Sequence, residues 1–126
     1  MEKNTIATNK APGAIGPYSQ GIDIGDLVYT SGQLGLDPAT GELAEGVSAQ
    51  TAQSLRNVQA ILEASGSGLD KVIKTTVFLK DMNDFAKMNE VYSTFFNEPH
   101  PARSAVEVAR LPKDGLVEIE VIALKK

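Results

Sequence analysis

The sequence predicts an α+β fold: a mixed sheet of five to six strands with two helices on one face, in a single domain spanning residues 1–126. Three observations predict it. Segments 48–65 and 81–96 repeat apolar residues at three- and four-residue steps, the period of a helix with one buried face. Segments near 22–31, 71–80, 103–108 and 117–123 alternate with period two, as half-buried strands do. Their order is β-β-α-β-α-β-β with a further strand at 3–7, and such interleaving packs helices against a mixed sheet.

Residues 3–7 read as a short edge strand, and Asn9–Gly16, with Pro12, Gly13 and Gly16, as a loop. Gly16-Pro17-Tyr18-Ser19-Gln20-Gly21 places a phenol in a turn-forming segment, where Tyr18 either packs over a strand or faces a ligand. Ile22 and Ile24, the turn at Gly25-Asp26 and the run Leu27–Ser31 predict a hairpin. Ser31-Gly32-Gln33 follows, and a glycine at a strand end lets a ligand or another backbone come close. Leu36–Gly46 reads as a surface loop. The first helix is expected over 48–65, with Ser48 as N-cap and Gly66 just past its end. Ala52, Leu55, Val58, Ile61 and Leu62 form its apolar stripe.

Lys71–Lys80 is the strongest strand, rich in β-branched and aromatic residues. Strict alternation puts Ile73, Thr75, Val77 and Leu79 on one face and Val72, Lys74, Thr76 and Phe78 on the other. Apolar residues on both faces predict an interior strand covered on both sides. Asp81 or Asn83 caps the second helix, which runs to about Phe96 with Phe85, Met88, Tyr92 and Phe95 as its stripe. Pro99 and Pro101 stop it. Residues 100–120 read as two short strands joined by a turn, a hairpin-like unit, with Asp114-Gly115 as the place for positive φ. Two helices cover only one face of such a sheet, so the apolar residues on the other face predict a homo-oligomer.

Apolar residues make up 42% of the chain and charged residues 22%, the balance of a water-soluble domain. There is no Cys, so no disulfide framework and no thiolate metal site can form. One His allows neither a His-rich metal site nor H-E-x-x-H. No nucleotide-binding glycine motif and no G-x-S-x-G occurs. The net charge of −4 argues against a sequence-independent nucleic-acid binder. No apolar run reaches the roughly 20 residues a membrane helix needs, and the N-terminus lacks the apolar region of a secretory signal. A cytoplasmic protein is therefore expected.

Arg103 and Glu118 are the residues with chemical potential. A guanidinium matches a carboxylate bidentately, and Arg103, directly after Pro-Ala, opens a strand. The competing reading is a structural ion pair with a neighbouring Glu. Glu118 and Glu120 point away from Val117, Ile119 and Val121. They form the wet face of an edge strand in a monomer. In an oligomer that face can be buried, and a buried carboxylate takes a partner or a raised pKa. His100, between two prolines, reads as a solvated spacer rather than a general base.

Seven segments resemble one family along nearly the whole chain. They are Ala14–Gly21 (AIGPYSQG), Thr30–Gln33 (TSGQ), Lys74–Phe78 (KTTVF), Asn83–Phe85 (NDF), Pro101–Ser104 (PARS), Val106–Asp114 and Glu118–Glu120 (EIE). The chain is similar to the RidA (YjgF-type) enamine/imine deaminases. The resemblance implies a chorismate-mutase-like α+β unit that assembles as a homotrimer with clefts between subunits. It implies hydrolysis of 2-aminoacrylate/2-iminopropanoate and 2-iminobutanoate to 2-keto acids and ammonia, without a cofactor or metal. The substrates would come from pyridoxal-phosphate dehydratases. Arg103 resembles the family arginine that grips the substrate carboxylate. Glu118 resembles the glutamate that orients water, and Tyr18 the tyrosine contributed by the adjacent subunit. Ser31, Gly32 and Asn89 match cleft-lining positions. Position 105 is Ala where many members have Cys; that residue acts mainly through its backbone, so Ala105 keeps the role. The segment 97–100 is shorter than in some members, which bears on the cleft rim. The alternative is a module that binds small carboxylates such as keto acids without turnover. A ribonuclease, an old label in this family, is disfavoured by the acidic balance and the lone His.

Overall fold

The computed structural model describes residues 1–126. Its elements are β1 (Asn4–Ile6), β2 (Gly21–Asp23), β3 (Leu27–Thr30), β4 (Gln33–Leu34), α1 (Gly46–Ala64), β5 (Val72–Leu79), α2 (Phe85–Tyr92), β6 (Ala102–Glu107) and β7 (Val117–Leu124). The sheet order is β1-β2-β3-β7-β5-β6, and β4 pairs with β7 beyond the end of β3. Only β5 and β6 run parallel. The fold is the expected α+β arrangement of two helices and a mixed sheet. The sheet has seven strands rather than five to six because β4 is two residues long, too short to leave a period in the sequence.

Leu55, Val58, Ile61 and Leu62 of α1 and Met88 and Tyr92 of α2 are buried against Val28, Val77, Leu79, Val117, Ile119 and Val121 of the sheet. Full burial of one such aliphatic side chain contributes roughly 1.5–3 kcal/mol, and truncating one to Ala costs about 2–5 kcal/mol. The other sheet face carries the half-exposed Lys74, Thr76, Phe78, Glu118, Glu120 and Ile122, with Tyr29 and Val106 more exposed still.

Three local expectations fail for physical reasons. First, residues 100–120 are not hairpin-like. β6 and β7 flank β5 on opposite sides, because residues 108–116 are long enough to carry the chain across its end. Positive φ falls at Asp114 (58°), as expected, and at Lys113 (57°) rather than at Gly115. Gly115 is needed for space instead, since a Cβ there would lie 2.8 Å from Leu34 Cδ2. Second, β5 is irregular at Ile73, where its register against β7 shifts. The bulge returns Val72 to the helix side and turns Ile73 outward, the reverse of strict alternation. Within the protomer β5 is therefore covered on one face, not two. Third, both helices differ at their ends. α1 starts at Gly46 after Glu45, so Ser48 lies inside it and is not the N-cap. Its end is as expected: Gly66, at φ 89°, donates to Glu63 O, and Ser67 donates to Leu62 O. Asp81 accepts from Asn83 N–H, but this opens a 3-10 turn over Met82–Asp84. The α2 helix ends at Tyr92 rather than near Phe96, although Phe96 stays buried with its ring 4.7 Å from that of Tyr92. No helix is long and apolar enough to cross a membrane.

Candidate active site

Arg103 pairs in register with Thr75, so it faces the helices rather than the open side of the sheet. On α2, residues 85, 89 and 92 are spaced by four and three and share one stripe. The Arg103 guanidinium carbon lies 5.4 Å from the Phe85 ring centre and 4.7 Å from that of Tyr92. Its Nη1 donates to Asn89 Oδ1 at 2.6 Å. The two ion pairs of the chain are Arg110–Asp114 and Lys125–Asp23. Arg103 is in neither, so its partner is a neutral amide and not the glutamate of the competing reading. One of five N–H donors is occupied by Asn89. The guanidinium opens onto a cavity of about 390 Å³ lined by Asn89, Tyr92, Ser93, His100, Pro101 and Arg103. His100 is exposed, as a spacer should be, yet it borders this cavity.

The strand that carries Arg103 is a sheet edge. Val108 N–H donates to Leu79 O at 2.9 Å, continuing the parallel ladder. Alternation along a parallel strand then turns the backbone groups of Arg103 and Ala105 toward the free edge. Ala105 is half-buried on the same face as Arg103.

Glu118 faces the other way. It pairs with Phe78 on the open face of the sheet. Burial raises its pKa above the ordinary value, and the neighbouring Glu120 charge raises it further. Its carboxyl group lies against Gly32, where a Cβ would come within 2.8 Å of Glu118 Cδ. Tyr18, Ser31, Gly32, Lys113 and Glu118 border one cavity of about 540 Å³. Tyr18 is half-exposed, and its hydroxyl accepts from Ile15 N–H at 3.4 Å. The Ser31 hydroxyl donates to Ser19 O at 2.5 Å, which ties the Tyr18 loop to the strand end.

Sequence reasoning missed the residues that position this half. Ser54 donates to Gln33 O at 2.7 Å, and Asn57 Nδ2 donates to Leu34 O and Leu36 O at 3.1 and 2.9 Å. Gln50 Nε2 donates to Ala44 O at 3.0 Å, and its Oε1 accepts from Leu116 N–H at 2.8 Å. A polar strip of α1 thus holds the 33–36 backbone beneath Glu118. Buried Gln20 holds the Tyr18 loop: Oε1 accepts from Thr8 N–H at 2.7 Å, and Nε2 donates to Pro12 O at 2.7 Å. The available signal was small polar residues interleaved at the same helical steps as the apolar stripe.

The predicted residues therefore form two groups. Tyr18, Ser31, Gly32 and Glu118 share one cavity; Arg103, Asn89 and Ala105 belong to the β6 edge. The sheet separates them, because Arg103 and Glu118 project from opposite faces. One group can bind an anion. The other can hold water beside a carboxylate that is easily protonated.

Comparison with known proteins adds an identity to this geometry. The family model described as endoribonuclease L-PSP matches residues 8–125. A protein of Salmonella typhimurium named 2-iminobutanoate/2-iminopropanoate deaminase is 59% identical, covering 97% of this chain and 98% of its own. The crystal structure of Escherichia coli TdcF with bound serine superposes with a TM-score of 0.93 at 52% identity, covering 98% of this chain and 100% of that one. RidA from an Antarctic Psychrobacter gives 0.94 at 54% identity, covering 96% and 98%.

Proposed function

The chain belongs to the endoribonuclease L-PSP (YjgF/RidA) family, and on that premise we propose that it is a hydrolytic deaminase of small 2-imino acids. Its substrates are 2-aminoacrylate with its tautomer 2-iminopropanoate, and 2-iminobutanoate. The products are pyruvate or 2-oxobutanoate and ammonia. The name of the Salmonella relative supports this choice. The observation that carries it is Arg103: a guanidinium held by an amide and two aromatic rings, with no carboxylate paired to it. Such a group is poised for an external carboxylate.

Arg103 grips the substrate carboxylate and draws electron density from the adjacent imine carbon. Glu118 takes a proton from water as its oxygen adds to that carbon and passes the proton to the imine nitrogen, giving a neutral carbinolamine. It then takes the carbinolamine O–H proton and passes it to the same nitrogen, the C–N bond breaks, and ammonia leaves as the C=O bond forms. A raised pKa suits Glu118 to both directions of transfer. Tyr18 and the backbone near Ala105 hold the imine nitrogen, and Ser31 and Gly32 wall the cleft. The placement of Arg103 and Glu118 on opposite faces supports a site completed between subunits of a homotrimer. Tyr18, Ser31, Gly32 and Glu118 then come from one protomer, and Arg103, Asn89 and Ala105 from its neighbour. The half-exposed apolar residues of the open face support burial in that assembly. The reaction needs no cofactor, and its substrates arise from pyridoxal-phosphate dehydratases in the cytoplasm.

The test is to generate 2-aminoacrylate with a serine or cysteine lyase and follow pyruvate release with and without the protein. Faster release that Arg103→Ala abolishes supports the proposal; equal rates at stoichiometric protein would sink it. The serine-bound relative favours a second reading, a carboxylate-binding module without turnover. Glu118→Gln separates the two, because binding alone does not need that carboxylate.

A further inference from the structure

A free arginine side chain samples many rotamers before an anion can use it. Arg103 has little of that freedom. Its guanidinium lies over the rings of Phe85 and Tyr92, and one edge is bonded to Asn89. The Tyr92 hydroxyl is itself held, 2.8 Å from Thr75 Oγ1. Thr75 is the register partner of Arg103 on the neighbouring strand. The strand that supports the Arg103 backbone therefore also fixes the ring beneath its guanidinium.

Core packing does not require this closed loop. Tyr92 is buried with its ring against Phe96, and a phenylalanine would fill nearly the same volume. Charge neutralisation does not require it either. A carboxylate at position 89 would take up the charge of Arg103, whereas the amide there takes one N–H and leaves the charge available. Burial raises the Tyr92 pKa, so the phenol stays neutral beside the cation.

We infer that Phe85, Tyr92 and Thr75 are positioning residues that orient the Arg103 guanidinium before substrate arrives. Asn89 belongs with them: it fixes one edge so that the opposite edge meets the carboxylate, rather than binding substrate itself. The inference deepens the proposed function and rests on it for the identity of the anion.

The experiment uses the full-length protein and 2-oxobutanoate as a stable probe. Calorimetry gives the Kd, and nitrogen-15 NMR reports rotation of the Arg103 side chain. Tyr92→Leu should weaken 2-oxobutanoate binding about tenfold and release the restricted guanidinium rotation. Tyr92→Phe and Thr75→Val should each weaken it by about two- to fourfold. Asn89→Asp should weaken binding about tenfold or more while leaving Arg103 ordered, because the charge is then paired. Met88→Ala, a buried α2 change outside the hydrogen bond and the two ring contacts of Arg103, serves as the control, with Val91→Ala in reserve should it not fold. The control should lower thermal stability and leave Kd within about twofold. Equal loss of affinity in the control and in Tyr92→Leu would overturn the inference, as would an Arg103 signal unchanged by Tyr92→Leu. If the wild type fails to bind 2-oxobutanoate while Arg103 is ordered and Tyr92→Leu frees it, the orientation stands and the deaminase proposal falls.

Discussion

Replacing Gly32 by alanine tests the Glu118 geometry with a single methyl group. A Cβ at position 32 would stand 2.8 Å from Glu118 Cδ and 3.0 Å from its Cγ and Oε1. Ordinary contact begins at 3.4 Å, so the carboxyl group must retreat from 2.8 Å to that distance, about 0.6 Å. Gly32 is not among the positive-φ glycines, so alanine brings no backbone strain. The clash is with the mobile end of a side chain, and swinging it aside costs about 0.5–1.5 kcal/mol at most. Catalysis is less tolerant: a misplacement approaching 1 Å costs about 10²-fold, or about 2.7 kcal/mol of barrier. Gly32→Ala should therefore fold nearly as well as wild type and deaminate far more slowly. Gly25→Ala should do the reverse, since Gly25 sits at φ 102° in the β2–β3 turn, away from both cavities. The assay is keto-acid release from lyase-generated 2-aminoacrylate, read beside a thermal melt. Adding Gly32→Ala to Glu118→Gln closes the cycle: a methyl that acts through Glu118 costs little more once that carboxylate is gone. Wild-type turnover by Gly32→Ala, or a full extra loss in the double variant, would refute the reasoning.

Glu118 carries a pH signature. Its folded pKa is raised by burial and then by Glu120, so turnover should fall as pH drops through a value higher than that of an ordinary glutamate, and Glu120→Gln should move that limb to lower pH. For stability the sign is opposite to the usual carboxylate case. Between the unfolded and folded pKa values the folded chain keeps a proton that the unfolded chain has released, so stability falls as pH rises through that window. Glu118→Gln should thus melt higher than wild type at neutral pH, with the gap closing as pH falls below the unfolded carboxylate pKa, as a pH series of thermal melts would read. Asp23 is the converse: the Lys125 hydrogen bond, then the Gly25 N–H, hold its pKa below the ordinary value. That stability is present above the unfolded pKa and lost as pH falls through the folded one, so Lys125→Ala should shift the acid-unfolding midpoint upward. Asn57→Ala leaves the carbonyls of Leu34 and Leu36 without their donor and should cost about 1–3 kcal/mol in urea unfolding, with a loss of turnover beyond that of unfolding.

The apolar code exposed the scaffold. Leu55, Val58, Ile61 and Leu62 recur at helical steps because one side of α1 meets the sheet, and the structure buries all four. Period two likewise revealed β7, whose Val117, Ile119, Val121 and Ala123 are all buried. Pairing was less legible, because period two says which face a residue takes and not which strand lies beside it. Hence Arg103 and Glu118 looked like members of one small unit, while β5 runs between their strands. The bulge at Ile73 left no trace either, since β-branched residues fill both phases of that strand. At the candidate site the charged residues were readable because charge in a strand is expensive to bury. Their supports were not. Asn57 and Ser54 look solvent-facing until their backbone partners are known, and Tyr92 looks like plain core until Arg103 is laid over it.

In the proposed site, the sheet between Arg103 and Glu118 lets both stay reactive. On one face of one protomer they would pair, and the arginine would be spent on an internal ion pair. Placed on opposite faces, they can face one site only when a second copy supplies the other half. That arrangement makes a complementation test decisive. Arg103→Ala and Glu118→Gln should each keep only a small residual turnover alone. In the proposed assembly, unfolding the two together in equal amounts and refolding yields mixed oligomers. An interface that takes Glu118 from the first variant and Arg103 from the second is intact, and random mixing makes about a quarter of the interfaces so. About a quarter of wild-type deamination should therefore return on mixing. A site contained within one protomer would return none at any ratio, so a mixture as inactive as its components would remove the shared site from the account.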